Sequence, residues 1–167
     1  WSSSYLVTVK NLSASDAARW AAYFYGGITV GRLVSGFLSM KINSTQLIRI
    51  GQLVCVAGAI ILILPLPVYF SMLGIILLGL GTSPIYPSML HETPNRFGAM
   101  ASGAIMGLQM AFAYIGSTFF PPLFGAIASA TTIKVFPYFL LICILIMLFS
   151  TELLQKKIVD KHKINDK

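Results

Sequence analysis

The stretch YFSMLGIILLGLGTSPIYPSMLHETPNRFG, Tyr69 to Gly98, sets two tendencies against each other. Its first half is apolar enough to sit in lipid. It then closes on two prolines, a tyrosine, a histidine, a glutamate and an arginine. The rest of the chain decides which environment to assume. Of its 167 residues, 56% are hydrophobic and only 10% are charged, against roughly 25% charged in average soluble domains. The mean hydropathy is +0.80. A soluble domain of this length could not cover so much apolar surface with so few charges. The chain reads as an integral membrane protein.

A span needs about 20 largely apolar residues. Five stretches qualify: 18–40, 47–64, 68–90, 99–129 and 133–153. They are continuous apolar runs rather than the alternating ten-residue segments of a barrel, so helices are expected. The fold class is therefore all-α, a polytopic membrane helical bundle. The connections Lys41 to Gln46, Pro65 to Pro67 and His91 to Gly98 are short, which implies antiparallel neighbours. Residues 1–8 read as the end of a truncated helix. The start WSSSYLV lacks both Met and a basic signal region, like a chain cut inside a longer one.

The net charge of +7 raises the question of nucleic acid. The positions of the charges answer it. Five lysines lie in the tail 154–167, and no basic surface is interleaved with aromatics. Lys41, Arg49, Arg96 and the tail lysines fall on one side, and Lys10, Arg19 and Lys134 on the other. This eight-to-three bias makes the tail cytoplasmic and the protein a multi-pass resident of the cell membrane. The tail reads as a solvated topology signal beside anionic lipid, or as a lipid sensor. Cys55 and Cys143 lie in apolar runs without a C-x-x-C spacing and read as packing residues.

The polar groups inside the spans are few. Arg32 is the one interior charge, and leaving it in lipid costs about 2.5–3.5 kcal/mol. It must face protein or water, either on a solute path or bonded to helix carbonyls at a gate. At 100° per residue Tyr25, Thr29, Arg32, Gly36 and Ser39 form one stripe, with Gly27 and Gly31 well round from it. Glycines so placed let another helix approach closely. Gly79, Ser83 and Tyr86 share a face of the third span. Pro84 and Pro87 each remove a backbone donor, so the end of this span should be bent or irregular, or simply terminate there. His91 and Glu92 sit at the membrane edge as a possible proton-linked pair or as loop chemistry. Arg96 resembles a loop anchor. Gln109 lies deep in the fourth span and is the best neutral residue for a hydroxylated solute, or an interhelical bond. Tyr114 lies on a neighbouring stripe. Pro121 and Pro122 should kink this helix. The second and fifth spans read as lipid-facing scaffold. No hydrolase, metalloprotease or phosphate-loop signature occurs, so neither an enzyme nor a cofactor or metal is expected.

The stretch GRLVSGFLSMK, Gly31 to Lys41, resembles the GRxxxGxLADR pattern of the major facilitator superfamily. Gly31, Arg32, Gly36, Leu38 and Lys41 match, with Met40 in place of the usual Asp. PIYPSMLHETPNRFG and GLQMAFAYIGSTFFPPLFG are similar to the tenth and eleventh helices of its fucose/proton symporter-like branch. The resemblance implies the C-terminal six-helix half of a twelve-helix transporter, its first helix truncated and its N-terminal half missing. It implies alternating access for a sugar or similar polar solute, and a proton symport with the proton carriers in the other half. Tyr25, Thr29, Ser83, Tyr86, Gln109 and Tyr114 then belong to the substrate path. Arg32, Gly36, Lys41, Pro84, Pro87, His91 and Arg96 belong to the inner gate. A drug or metabolite exporter, and a non-transporting half-length protein, are the alternatives.

Overall fold

Helix starts in this chain follow from local chemistry. Ser13 Oγ accepts from the Asp16 backbone N–H at 3.1 Å and donates to the Asp16 carboxylate at 2.7 Å, so a cap and a first-turn acid together open a helix. Asn43 begins the next one, its N–H reaching the Gln46 side chain at 3.3 Å. The computed structural model describes the backbone of residues 1–165 and the side chains of residues 1–158. The tail residues Lys161, Lys163 and Lys167 thus fall outside the described side chains. The helices are α1 (Ser2–Lys10), α2 (Ala14–Leu38), α3 (Ser44–Ile63), α4 (Val68–Thr82), α5 (Ile85–Phe97), α6 (Ala99–Ala130) and α7 (Phe136–Asn165), with a 3-10 turn at Ile133–Val135. No strand occurs among the described residues, and the architecture is an all-α bundle.

Four stretches are long and apolar enough to cross a membrane: Ser44–Ile63, Val68–Phe97, Ala99–Ala130 and Ile133–Ile158. α2 has the length, at 25 residues, but its arginine, glycines and hydroxyls keep it out of that set. Val68–Phe97 takes in both α4 and α5, which meet at Ser83 and Pro84. Helix persists past His91, where a loop was expected, and stops only at Gly98, whose φ of +80° suits a residue without a side chain. Pro94 is tolerated because it frees only the Leu90 carbonyl, near a polar helix end where water can serve it.

The packing centres on α4. On one side Gly27 and Gly31 of α2 lie against the backbone of Ile76 to Leu80 and the side chain of Ser83. On the other, Gly51 faces Gly81 and Gly58 faces Gly74 across the α3–α4 crossing. These two pairs are reciprocal, and each pair's members sit two turns from the next, as antiparallel helices in constant register require. The expectation for Gly27 and Gly31 holds. The expectation for α3 does not. Leu47, Ile48, Gly51, Gln52, Cys55, Gly58, Ala59 and Leu62 are all buried, so α3 is a core helix. Gly51 and Gly58, the exceptions in an otherwise featureless run, are what admit α4.

α1 is anchored by a buried bond. Tyr5 Oη donates to the Leu62 carbonyl at 2.9 Å. That carbonyl is free because the Leu66 N–H turns aside to Leu64 in the proline-bounded turn. Cys55 is buried and free, and its Sγ points at the Leu78 carbonyl at 3.8 Å. α6 differs from these helices: its one buried side chain is Phe124, held among Trp1, Phe136 and Phe139.

A methyl group at Gly81 would come 2.5 Å from the Gly51 carbonyl oxygen and 2.6 Å from Cys55 Sγ. Gly81→Ala should therefore destabilise the chain by about 1–3 kcal/mol. Gly103→Ala, with nothing within 4 Å, should leave thermal unfolding in detergent unchanged or slightly raised. Equal unfolding temperatures for the two variants would refute the seam.

Candidate functional site

The residues singled out in the sequence separate into three groups. Arg32, Gly36, Pro84, Tyr86, Pro87 and His91 line one cavity of about 630 Å³, together with Ser35, Ser39, Ser44 and Ser88. It lies where the end of α2, the start of α3 and the α4–α5 joint converge. Tyr86 also lines a second cavity of about 400 Å³ with Gln109, walled by Met89, Ile105, Leu108, Phe112 and Ala113. Tyr86 is thus common to both, standing between the basic end of the bundle and the α5–α6 crevice.

Gln109 is engaged at its tip. Thr93, buried on α5, has its hydroxyl 2.9 Å from the Met89 carbonyl and 3.1 Å from Gln109 Oε1. A hydroxyl carries one proton, so the two acceptors share it. The Gln109 amide nitrogen is left for another partner. The contact joins α5 to α6 and holds Gln109 at the cavity wall, so one side chain serves both packing and cavity chemistry.

Other residues stand apart. Ser83 is buried in the α2–α4 seam, its hydroxyl on the Leu80 carbonyl at 2.8 Å and its side chain against Gly31. Tyr25 and Tyr114 are largely exposed on α2 and α6, at 69% and 73%. The Thr29 hydroxyl turns back to the Tyr25 carbonyl at 3.0 Å. Lys41 is exposed in the turn after α2. Arg96 lies in the last turn of α5 rather than in a loop, and its partners are side chains rather than helix-end carbonyls: its Nη2 donates to Thr45 Oγ1 at 3.2 Å, and its Nε lies 3.9 Å from Glu92. His91 meets Ser44 at 3.3 Å rather than Glu92.

One cluster went unseen in the sequence. Along α3, Thr45, Arg49 and Gln52 form a polar row on the face toward α7. Gln155 Nε2 donates to Thr45 at 2.9 Å, Arg49 Nη2 donates to Glu152 at 2.6 Å, and Gln52 Nε2 donates to Thr151 at 2.9 Å. The fork of Arg49 on both Glu152 oxygens is the strong bidentate form. The spacing 45, 49, 52 on α3 and 151, 152, 155 on α7 is helical on both sides. Only the register between the helices, a tertiary fact, brings them together.

A family model described as Major Facilitator Superfamily matches residues 2–163. Among curated proteins, the chain is similar to two named glucose/galactose transporter, from Brucella abortus biovar 1 (strain 9-941) and Brucella abortus (strain 2308). Each is 27% identical over 123 residues, covering 74% of this chain and 29% of the relative. The chain thus spans less than a third of the length of these relatives. No solved structure matches.

Reversing one charge of the α3–α7 row should loosen it. Arg49→Glu should lower the thermal unfolding temperature, and the exchange Arg49→Glu with Glu152→Arg should recover most of the loss. No recovery in the double variant would mean that the ion pair does not join these helices.

Proposed function

The chain belongs to the major facilitator superfamily, and from that premise we infer that it forms part of a secondary active transporter that moves a small polar solute, a sugar, by alternating access. The observation that carries this reading is the α5–α6 cavity. Its about 400 Å³ lies within the usual range of small-molecule sites. Gln109 offers hydrogen-bonding groups beside the aromatic rings of Tyr86 and Phe112. A pyranose presents hydroxyls at its rim and C–H groups on its faces, which suits an amide beside aromatic rings. The name carried by the Brucella relatives supports the same solute class.

The inferred arrangement has α2 crossing the membrane beside the four more apolar spans, with residues 1–153 as the transmembrane bundle and 154–167 as a basic tail. The eight-to-three charge bias supports a cytoplasmic side for that tail and for the Arg32 cavity. Tyr86 and Gln109 contact the solute, and Tyr25, Thr29 and Tyr114 meet it from the exposed faces of α2 and α6, with Ser83 shaping the α2–α4 seam behind them. Gly36, Arg32, Lys41, Pro84, Pro87, His91 and Arg96 form the inner gate. A partner half with its own six helices covers those exposed faces, since Tyr25, Phe37, Phe112 and Tyr114 otherwise leave broad apolar area bare. Proton coupling, if it operates, uses carboxylates in that half. Asp16, Glu92 and Glu152 each already lie beside an arginine.

A second reading draws on the same cavity. Five of its seven lining side chains are apolar, as an exporter of hydrophobic compounds would need. Uptake separates the two. In cells expressing the full-length protein, Gln109→Ala should weaken labelled-glucose uptake about tenfold, the worth of one or two hydrogen bonds. Unaltered uptake, or export of a hydrophobic dye with no sugar uptake at all, would overturn the sugar reading.

The gate makes its own prediction. Replacing Pro84 and Pro87 together by Ala restores two backbone donors and should stiffen the α4–α5 joint. The transport rate should fall several-fold while solute affinity changes little. An unchanged rate would remove the joint from the gate.

A further inference from the structure

The Arg32 guanidinium has no hydrogen-bond or ion-pair partner among the described residues. Its surroundings explain why no local acid serves it. The chain's described carboxylates are Asp16, Glu92 and Glu152, and each lies beside a different arginine: Arg19 at 3.7 Å, Arg96 at 3.9 Å and Arg49 in a two-pronged pair. None lines the cavity of about 630 Å³ into which Arg32 opens. What lines it instead is the imidazole of His91 and the hydroxyls of Ser35, Ser39, Ser44 and Ser88. Ser35 and Ser39 donate to backbone carbonyls of their own helix, at 3.0 and 2.7 Å. The start of α3, capped by Asn43 and Gln46, borders the same cavity through Ser44 and Leu47.

A guanidinium and an imidazole line a cavity that holds no carboxylate among the described residues, a chemistry that suits an anion. The guanidinium fork matches phosphate oxygens two at a time. Arg32 lies six residues before the last residue of α2, about 9 Å along the axis. Its side chain is exposed at the cavity, so a phosphate group can reach the guanidinium from the helix-end side. The cavity is large enough for a glycerophosphate headgroup and not only for a bare ion.

We propose that the Arg32–His91 cavity binds a phosphate group, carried by an anionic phospholipid headgroup or by a free phosphate in solution. The site shares its residues with the inner gate proposed above, and its test reads binding rather than transport. It tests on the purified full-length protein in maltoside detergent. Native mass spectrometry counts retained phosphatidylglycerol, and thermal unfolding is followed with millimolar inorganic phosphate.

Retention of one phosphatidylglycerol that weakens about tenfold in Arg32→Gln, and survives Lys156→Gln with Lys157→Gln, identifies a headgroup. A rise in unfolding temperature with inorganic phosphate that is lost in Arg32→Gln identifies a free phosphate. Arg32→Lys keeps the charge without the fork and should bind between the two, which separates lost binding from lost folding. No retention and no rise, or binding unaltered in Arg32→Gln, overturns the proposal. Arg32 is then matched by an acidic group elsewhere in the full-length protein.

Discussion

The architecture depends on α4 being approached by backbone from both sides. Lipid tails are as apolar as leucine, so helices in a membrane gain little from burying apolar area against one another. Close van der Waals packing has to supply the attraction, and small residues permit it. Gly27 and Gly31 bring α2 onto one flank of α4, and the pairs Gly51–Gly81 and Gly58–Gly74 bring α3 onto the other. Once these contacts are made, the near side of the α4–α5 joint, at Ser83 and Pro84, lies against both α2 and α3. Gly31 packs on Ser83, and Gly51 packs near Pro84 and Ile85. Both cavities are consequences, because each is walled by residues just beyond that joint.

The remaining helices are held by different means. α7 is tied to α3 by side-chain polar bonds at one end, while at the other the rings of Phe136 and Phe139 meet Tyr5 of α1 and Phe124 of α6. α6 has the least holding it in this chain. Gln109 joins it to Thr93 toward one end, and Phe124 sits among Trp1, Phe136 and Phe139 toward the other. Trp1 Nε1 also donates to the Pro121 carbonyl at 3.0 Å, within the proline pair that interrupts the helix's own bonding. A helix fixed at two separated points and weakened between them can tilt at a cost far below that of moving α4. The bundle thus combines a rigid three-helix core with a loosely held wall, and the α5–α6 cavity lies on the boundary between them.

How much of this was legible in the sequence depends on the range of each interaction. Short-range features read well. Apolar runs gave the helices, and a small-residue stripe on α2 gave a close contact. The prolines at 84 and 87 gave a break. Pairings between distant segments did not read. The 100° arithmetic puts Ser83 and Tyr86 on one face of the third span, yet Ser83 is sealed against α2 while Tyr86 borders both cavities. The offset that hides one and opens the other is the turn at Pro84, which shifts the phase of the helix after it. α3 looked like scaffold because Gln52 and two glycines are weak signals alone. They become a core face only when Gly74, Gly81 and Thr151 are set opposite. Glu152 looked like the edge of a tail, and its meaning lies in Arg49, about a hundred residues earlier.

The polar residues of such a bundle can be sorted by what they leave unsatisfied. In a medium that offers no water, a buried polar group not met by a neighbour costs more than most contacts return. Tyr5 spends its hydroxyl on Leu62, and Arg49 spends its whole fork on Glu152. Both act as fasteners. Gln109 is half spent: Thr93 takes its oxygen and leaves its amide nitrogen at the cavity wall. The Arg32 guanidinium is unspent, and it opens onto a space that no described acid lines. A side chain that has consumed its partners can only hold the fold together. One that still lacks them, at a cavity, is where something outside the chain must complete the interaction.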